Sequence, residues 1–283
     1  MATELSYRIL NVFTDGDNPF SGNPLCVFEN ATALSDKDMQ DLARQLNLSE
    51  TTFVTPGEGD ATASVRIFTP NFEMPFAGHP TLGTAHVVRE LFAAGDAIVL
   101  RMPAGDIAVR ADGSTWTLQA KHPTTREVAV SADDLARTVG LLPSSLAAQP
   151  LWVDVGVEQL VVPLRSAEDV RAARADPRLL RQFGTGVDGE SLMYVWAPTG
   201  PETIEARFFF IQNGAAIEDP ATGSACANLG GWFLATGELG IRRRIHQGGA
   251  IQRPSILDLV VDEEGTIFVS GAVRDVGRGT FTI

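Results

Sequence analysis

Glu50 is the side chain whose setting most favours proton transfer. It directly precedes Thr51, Thr52 and Phe53, in a stretch that predicts a β-strand over 51–54. A carboxyl group at the start of a buried strand loses part of its hydration, which raises its pKa and lets it accept and donate a proton near neutral pH. The spacing alone equally allows an exposed glutamate at the edge of a strand, so both interpretations stay open.

His79 is the second candidate for this chemistry. Gly78-His79-Pro80 opens a segment of small and apolar residues, and proline in a first turn predicts that a helix begins there. The positive end of a helix dipole disfavours imidazolium, so we expect a neutral imidazole that hydrogen-bonds to the substrate or to a carboxylate. The alternative is a turn whose histidine is satisfied by its neighbours.

Asp219, Gly223 and Ser224 precede or open a second predicted helix, over about 224–234. Gly223 and Ser224 offer unhindered backbone N–H groups and a hydroxyl to a carboxylate, although helix capping uses the same atoms. Asp219 is a candidate to orient His79 or a substrate amine or hydroxyl, or else to cap the helix. A serine hydrolase built from Ser224, His79 and Asp219 is disfavoured, because Ser224 lacks the Gly-x-Ser-x-Gly elbow.

Other catalytic classes lack their motifs. The four histidines show no metal-ligand spacing. The chain has no Gly-x-Gly-x-x-Gly sequence and no phosphate-binding loop, so no nucleotide is indicated. We therefore expect an enzyme that uses neither a metal nor a cofactor.

Composition restricts the partners. A net charge of -13 disfavours nucleic acid and anionic lipid, and we expect the one basic run, 242–244, to form a solvated turn. Neither a signal peptide nor a membrane-spanning segment is evident, and the cysteines number only two. A reducing, cytoplasmic setting is expected.

Two cycles of similar elements must position these residues. The first has predicted strands at 6–12, 24–28, 51–54 and 64–68 and helices at 35–46 and from Pro80; the second has strands at 151–155, 159–164, 192–196 and 206–211 and helices at 167–183 and 224–234. When the two cycles are aligned, Glu50 corresponds to Glu190 and Arg66 corresponds to Arg207. The order predicts an internal duplication, with two helix starts that form an anion site in a cleft between the halves.

Five segments resemble the phenazine-biosynthesis-like isomerase family, whose fold is shared with diaminopimelate epimerase. They are Ser-Gly-Asn-Pro at 21–24, Asn-Leu-Ser-Glu-Thr-Thr-Phe-Val at 47–54, Arg-Ile-Phe-Thr-Pro at 66–70, Pro-Phe-Ala-Gly-His-Pro-Thr-Leu-Gly-Thr-Ala at 75–85, and Glu-Asp-Pro-Ala-Thr-Gly-Ser-Ala at 218–225. Further short matches extend to 277–280, so the resemblance covers essentially the whole chain.

The resemblance implies an α/β fold of two pseudo-equivalent lobes, each a mixed sheet or barrel curled around a central helix. We place the lobes at 1–118 and 119–283, with a C-terminal strand at about 270–283 able to return to the first lobe, and the active site in the cleft between them. The usual form in the family is a homodimer.

The resemblance also implies a function: a cofactor-independent proton shift on a small carboxylate, as in trans-2,3-dihydro-3-hydroxyanthranilate isomerase. Glu50, His79 and Asp219 are then the catalytic residues, and Asn23, Gly78, Gly223 and Ser224 bind substrate. Thiol racemisation is disfavoured because Gly-His-Pro opens the first helix and Cys226 falls inside the second, where it is expected to be buried. A non-catalytic small-acid-binding protein of the same fold is the alternative.

Overall fold

The computed structural model describes residues 3–283. Its strands are β1 (Glu4–Val12), β2 (Asn23–Phe28), β3 (Thr51–Pro56), β4 (Ala63–Phe68), β5 (Glu73–Met74), β6 (Ala97–Met102), β7 (Gly105–Asp112), β8 (Thr115–Gln119), β9 (Thr124–Glu127), β10 (Leu151–Asp154), β11 (Glu158–Pro163), β12 (Leu192–Pro198), β13 (Thr203–Gln212), β14 (Ala215–Asp219), β15 (Ile241–Gln247), β16 (Ser255–Val261) and β17 (Ile267–Thr282). Its α-helices are α1 (Asp36–Leu46), α2 (Gly78–Leu91), α3 (Ala132–Thr138), α4 (Ala167–Ala172), α5 (Pro177–Phe183) and α6 (Gly223–Ala235).

Contacts divide the chain into two compact units. Unit 1 comprises the residues up to Gln119 together with Ser270–Ile283, and unit 2 comprises Ala120–Val269. In unit 1, strands β1, β2, β3, β4, β6, β7, β8 and the C-terminal part of β17 pair in a closed ring. The ring leaves no open sheet edge among these eight strands.

Unit 2 repeats this connectivity. Strand β11 pairs in parallel with β12, and β12 runs antiparallel to β13, as β2, β3 and β4 do in unit 1. Strand β13 then pairs with β14 at one end and in parallel with β15 at the other, which reproduces the pairing of β4 with β5 and β6. The predicted fold class, two pseudo-equivalent α/β lobes, is confirmed.

Each unit contains one helix whose residues are mostly buried. In α2 the whole first half, from Gly78 to Ala85, is buried, and α6 is buried from Ala225 to Phe233. Such helices have no polar face because strands surround them. None of the helices in residues 3–283 is long and apolar enough to cross a membrane.

Each repeat contains an arginine in an equivalent position. Arg66 and Arg207 each form a bidentate ion pair with a glutamate of the next strand, Glu73 and Glu218, and each guanidinium lies over the ring of the phenylalanine two residues further on. This part of the predicted repeat is confirmed.

The alignment of Glu190 with Glu50 was wrong. Arg66 lies opposite Phe53 in the sheet and Arg207 lies opposite Val195. Counting back three residues from each partner makes Leu192, and not Glu190, the counterpart of Glu50. Glu190 is exposed in the turn before β12.

Two further predictions from the sequence were wrong. The segment 167–183 forms two helices, α4 and α5, because Pro177 has no N–H and begins a new helix that the Asp176 side chain caps. The basic run 242–244 lies within strand β15, where alternation leaves Arg242 and Arg244 exposed between the buried residues Ile241 and Ile245. Cross-strand pairing of Arg244 with Asp258 adds to the ladder.

The buried Arg207–Glu218 pair generates a stability prediction. Both side chains expose less than a tenth of their surface, 8% and 6%, whereas Arg66 and Glu73 expose 34% and 30%. We expect Arg207→Met to lower the free energy of unfolding by about 3–5 kcal/mol, because Glu218 is left as a buried, uncompensated charge. The matched variant Arg66→Met should cost about 1 kcal/mol or less. Urea denaturation measures both; equal losses would contradict the argument.

Candidate active site

Glu50 directly precedes β3, between solvent and the core of unit 1. Its side chain exposes 16% of its surface, while Thr51, Thr52 and Phe53 are buried. Parallel pairing with β2 and antiparallel pairing with β4 fix the backbone that follows it. A carboxylate in this position has lost most of its water and still has access to a small molecule.

His79 is the neighbour of Glu50. Its Nδ1 atom lies 3.5 Å from Oε2 of Glu50. Burial lowers the pKa of His79 to about 3, and a hydrogen bond to the Pro24 carbonyl group opposes this only weakly. The imidazole is therefore neutral at physiological pH and donates a hydrogen bond to the Pro24 carbonyl oxygen. Its Nε2 atom has no hydrogen-bond partner among residues 3–283.

Asn23 is fully buried at the first position of β2, opposite Val12 of β1. The chain reaches it through Gly22, whose φ of +78° falls in the left-handed region. A Cβ at position 22 would lie 2.6 Å from the Val12 carbonyl oxygen, so only glycine fits. The Gly-Asn-Pro sequence thereby brings both Asn23 and the Pro24 carbonyl group into the interior of unit 1. There the Pro24 carbonyl oxygen accepts the hydrogen bond from His79.

The two buried helices differ from the others at their first turn. Side chains of Ser35, Ser131, Ser166 and Asp176 cap α1, α3, α4 and α5. The N-cap residues of α2 and α6 are Ala77 and Thr222, and neither makes a side-chain cap. The first N–H groups of a helix carry a partial positive charge. The Gly78 and Gly223 ends are thus suited to an anionic group.

Asp219 ends β14, four residues before Gly223 begins α6. Its carboxylate accepts a hydrogen bond from the Thr222 hydroxyl at 2.5 Å. The buried Gln247 amide donates to the Thr222 hydroxyl and to the Asp219 carbonyl oxygen. Because Thr222 receives one hydrogen bond and gives the other, its proton points to the carboxylate. Asp219 is therefore held in place, but it is not the N-cap of α6.

Ser224 occupies the second position of α6 in unit 2. Its Oγ atom accepts a hydrogen bond of 2.9 Å from Nε2 of Gln159, which is buried in β11. Asn228, one turn further along α6, donates in turn to Oε1 of Gln159. The hydroxyl of Ser224 thus meets an amide donor and not a base, which argues against the serine hydrolase alternative.

One cluster of the metal-ligating type exists among the described residues, in unit 1. His86, Glu90 and Asp275 offer ligand atoms within 4.8 Å of one another. The Arg8 guanidinium bonds to Glu90 and approaches Asp275 to 3.8 Å, so a cation already balances these carboxylates. His86 donates a hydrogen bond of 3.1 Å from Nε2 to the Asp275 carboxylate. The sequence had given no indication of this cluster, because β17 comes from the far end of the chain.

The cysteines are free and buried, as expected for Cys226. Burial raises the pKa of the Cys26 thiol to about 12 and that of Cys226 further still. Thiols that stay protonated are poor nucleophiles and poor acids for proton transfer.

The two amide side chains that hold Ser224, those of Gln159 and Asn228, were not predicted from the sequence. Gln159 directly precedes the apolar residues 160–163 of β11, and Asn228 lies within a helix of small and apolar residues. An amide inside an apolar segment must find hydrogen-bond partners when it is buried. An amide residue within an apolar segment was therefore the sequence feature that could have identified these two residues.

The neutral state of His79 has a consequence for stability. Its pKa is 6.5 when unperturbed and about 3 in the folded chain, so between these values the unfolded state binds the extra proton. The stabilisation is complete above pH 6.5 and is lost as pH falls toward 3, by up to about 1.4 kcal/mol per pH unit. We expect wild type to lose about 2 kcal/mol more than His79→Gln between pH 7 and pH 5 in urea titrations. The exposed-site control His122→Gln should track wild type; identical curves for His79→Gln and wild type would contradict the assignment.

Comparison with known proteins places this chain in a family. Residues 10–275 match the family described as phenazine biosynthesis-like protein. An uncharacterized isomerase of Pasteurella multocida is 39% identical over 282 residues, which cover 99% of this chain and 94% of the relative. The trans-2,3-dihydro-3-hydroxyanthranilate isomerase of Pseudomonas chlororaphis is 33% identical over 98% of this chain and 99% of its own length.

Solved structures agree in fold. The crystal structure of the Bacillus anthracis phenazine biosynthesis protein of the PhzF family superposes with a TM-score of 0.86 at 21% identity and covers 99% of this chain and 100% of that one. The match in sequence extends over nearly the whole chain, and the matched relatives are named isomerases. The chain therefore belongs to the phenazine biosynthesis-like family and is an isomerase.

Proposed function

We propose that this isomerase moves a proton within a small carboxylate related to trans-2,3-dihydro-3-hydroxyanthranilate, with Glu50 as the acid/base group. The Glu50 carboxylate removes a proton from a substrate carbon beside the conjugated acid group. The protonated Glu50 side chain then returns that proton to another carbon of the substrate. The overall change is a shift of one hydrogen and one double bond. Atoms and electrons balance without a cofactor.

The single observation that carries the proposal is the contact between Glu50 and a neutral imidazole. At 3.5 Å, a protonated His79 would neutralise the carboxylate and compete for the transferred proton. With a pKa of about 3, His79 does neither. A neutral His79 thus leaves the transferred proton to Glu50, as this mechanism requires.

We assign the remaining polar residues to substrate binding. Asp219 has a fixed carboxylate that suits a substrate amine or hydroxyl, and Asn23 and Gly78 offer an amide and an uncapped helix start. Gly223 and Ser224 offer N–H groups and a hydroxyl to the substrate carboxylate. Neutral donors fixed before the reaction stabilise the developing negative charge without cost at the transition state.

The decisive variant is Glu50→Gln, which keeps the shape and removes the base. We expect kcat to fall by about 10²–10⁴-fold with trans-2,3-dihydro-3-hydroxyanthranilate, because general acid/base catalysis contributes on that scale. Product formation followed by NMR in heavy water measures both turnover and deuterium incorporation at carbon. The exposed control Glu190→Gln should match wild type.

Two outcomes would reject the proposal. Turnover by Glu50→Gln at the wild-type rate would remove Glu50 from the mechanism. Binding of the substrate by wild type with no turnover and no exchange would favour the alternative, a small-acid-binding protein of the same fold.

A further inference from the structure

Two buried amides link the start of α6 to the backbone of unit 2. Oδ1 of Asn228 accepts a hydrogen bond from the Val155 N–H group, and Nδ2 of Asn228 donates to the Val157 carbonyl oxygen. Nδ2 also donates to Oε1 of Gln159, whose Nε2 donates to Ser224. Asn228 and Gln159 expose at most 1% of their surface.

The direction of each hydrogen bond between Val155, Val157, Asn228, Gln159 and Ser224 is fixed. A backbone N–H can only donate and a backbone carbonyl can only accept, so the two backbone groups set the orientation of the Asn228 amide. The Asn228 amide then sets that of Gln159. Ser224 must accept from Gln159 through Oγ, and its own proton is left to be donated to a bound molecule.

Packing does not account for these amides, as the repeat in unit 1 demonstrates. Cys26 lies opposite Thr51 and Leu160 lies opposite Met193, so the shared register makes Leu25 the counterpart of Gln159.

The helices agree with this register. Counting from the helix starts, Gly78 and Gly223, makes Gly83 the counterpart of Asn228. A Cβ at Gly83 would lie 2.5 Å from Cδ2 of Leu25, so these two residues also pack together. Unit 1 fills the same space with an apolar pair and unit 2 with an amide pair.

We propose that Gln159 is a positioning residue that, held by Asn228, orients the Ser224 hydroxyl so that it donates its proton in a hydrogen bond to the substrate carboxylate. This inference rests on the proposed function for the identity of the acceptor. The polarity of the Gln159–Ser224 bond is independent of it. The two parts are therefore tested separately.

The polarity is tested without substrate, on the full-length protein carrying Ser224→Cys. A thiolate at this position accepts from Gln159 and lies at a helix start, so its pKa should fall below the usual value of about 8.5. Gln159→Leu, which copies unit 1, should raise that pKa by about one unit, and Gln159→Glu should raise it further because the donor becomes an acceptor. Thiolate absorbance against pH measures this. Cys26 and Cys226 stay silent because burial raises the pKa of each.

The role in binding is tested by kinetics with trans-2,3-dihydro-3-hydroxyanthranilate. Ser224→Ala should raise KM about tenfold, as expected for a lost hydrogen bond to a charged group, and change kcat much less. Gln159→Leu should raise KM severalfold in wild type and have no further effect in the Ser224→Ala background. Gln182→Leu, at an exposed glutamine, is the control.

The outcomes separate the two ideas. An introduced thiol whose pKa is the same with Gln, Leu and Glu at position 159 would overturn the relay. Shifted thiol pKa values with additive effects of Gln159→Leu and Ser224→Ala on KM would overturn the role of Gln159 in binding through Ser224. If wild type neither turns over nor exchanges the substrate, the proposed function fails, and the thiol titration still decides the relay.

Discussion

The structure depends on the enclosure of one apolar helix in each unit by surrounding strands. A helix buried on all sides stabilises the unit by removing a large apolar surface from water. It also carries its first turn into the interior, where N–H groups cannot rely on solvent. The surface helices solve this problem with serine or aspartate caps, whereas α2 and α6 do not. Burial of the two helices thus places one uncapped helix start inside each unit.

The same burial determines the protonation state of the histidine at the first helix start. Water that would solvate an imidazolium is excluded around His79, so the side chain is neutral and makes its hydrogen bond to the Pro24 carbonyl group. Glu50 keeps a small exposed fraction beside it. Low dielectric and a neutral neighbour are the conditions under which one carboxylate can take up a proton and return it.

The duplicated units have kept their framework and changed their polar residues. The ion pairs of Arg66 with Glu73 and of Arg207 with Glu218 occupy equivalent places, and both lock a hairpin strand against the main sheet. At the helix starts, however, Gly-His in α2 corresponds to Gly-Ser in α6. The support also differs: a backbone carbonyl holds His79, whereas an amide pair holds Ser224. A framework of strands tolerates such exchange because side chains on the helix start do not decide strand pairing.

The family and the order of elements could be inferred from the sequence, because these depend on local patterns of apolar residues, caps and turns. The sequence also indicated the helix starts at Gly78 and Gly223. Tertiary contacts, by contrast, set the register that makes Leu192 the counterpart of Glu50 and bring Arg8, Glu90 and Asp275 together. They also form the amide relay from Val155 to Ser224. The division of 167–183 into two helices follows instead from a local signal, Asp176-Pro177. Hydrogen-bond direction and burial depend on which strands and helices meet, and residues such as Gln159 and Asn228 lie 69 positions apart in the chain. Local sequence patterns carry no information on contacts over such separations, since the sheet pairing that creates them is non-local.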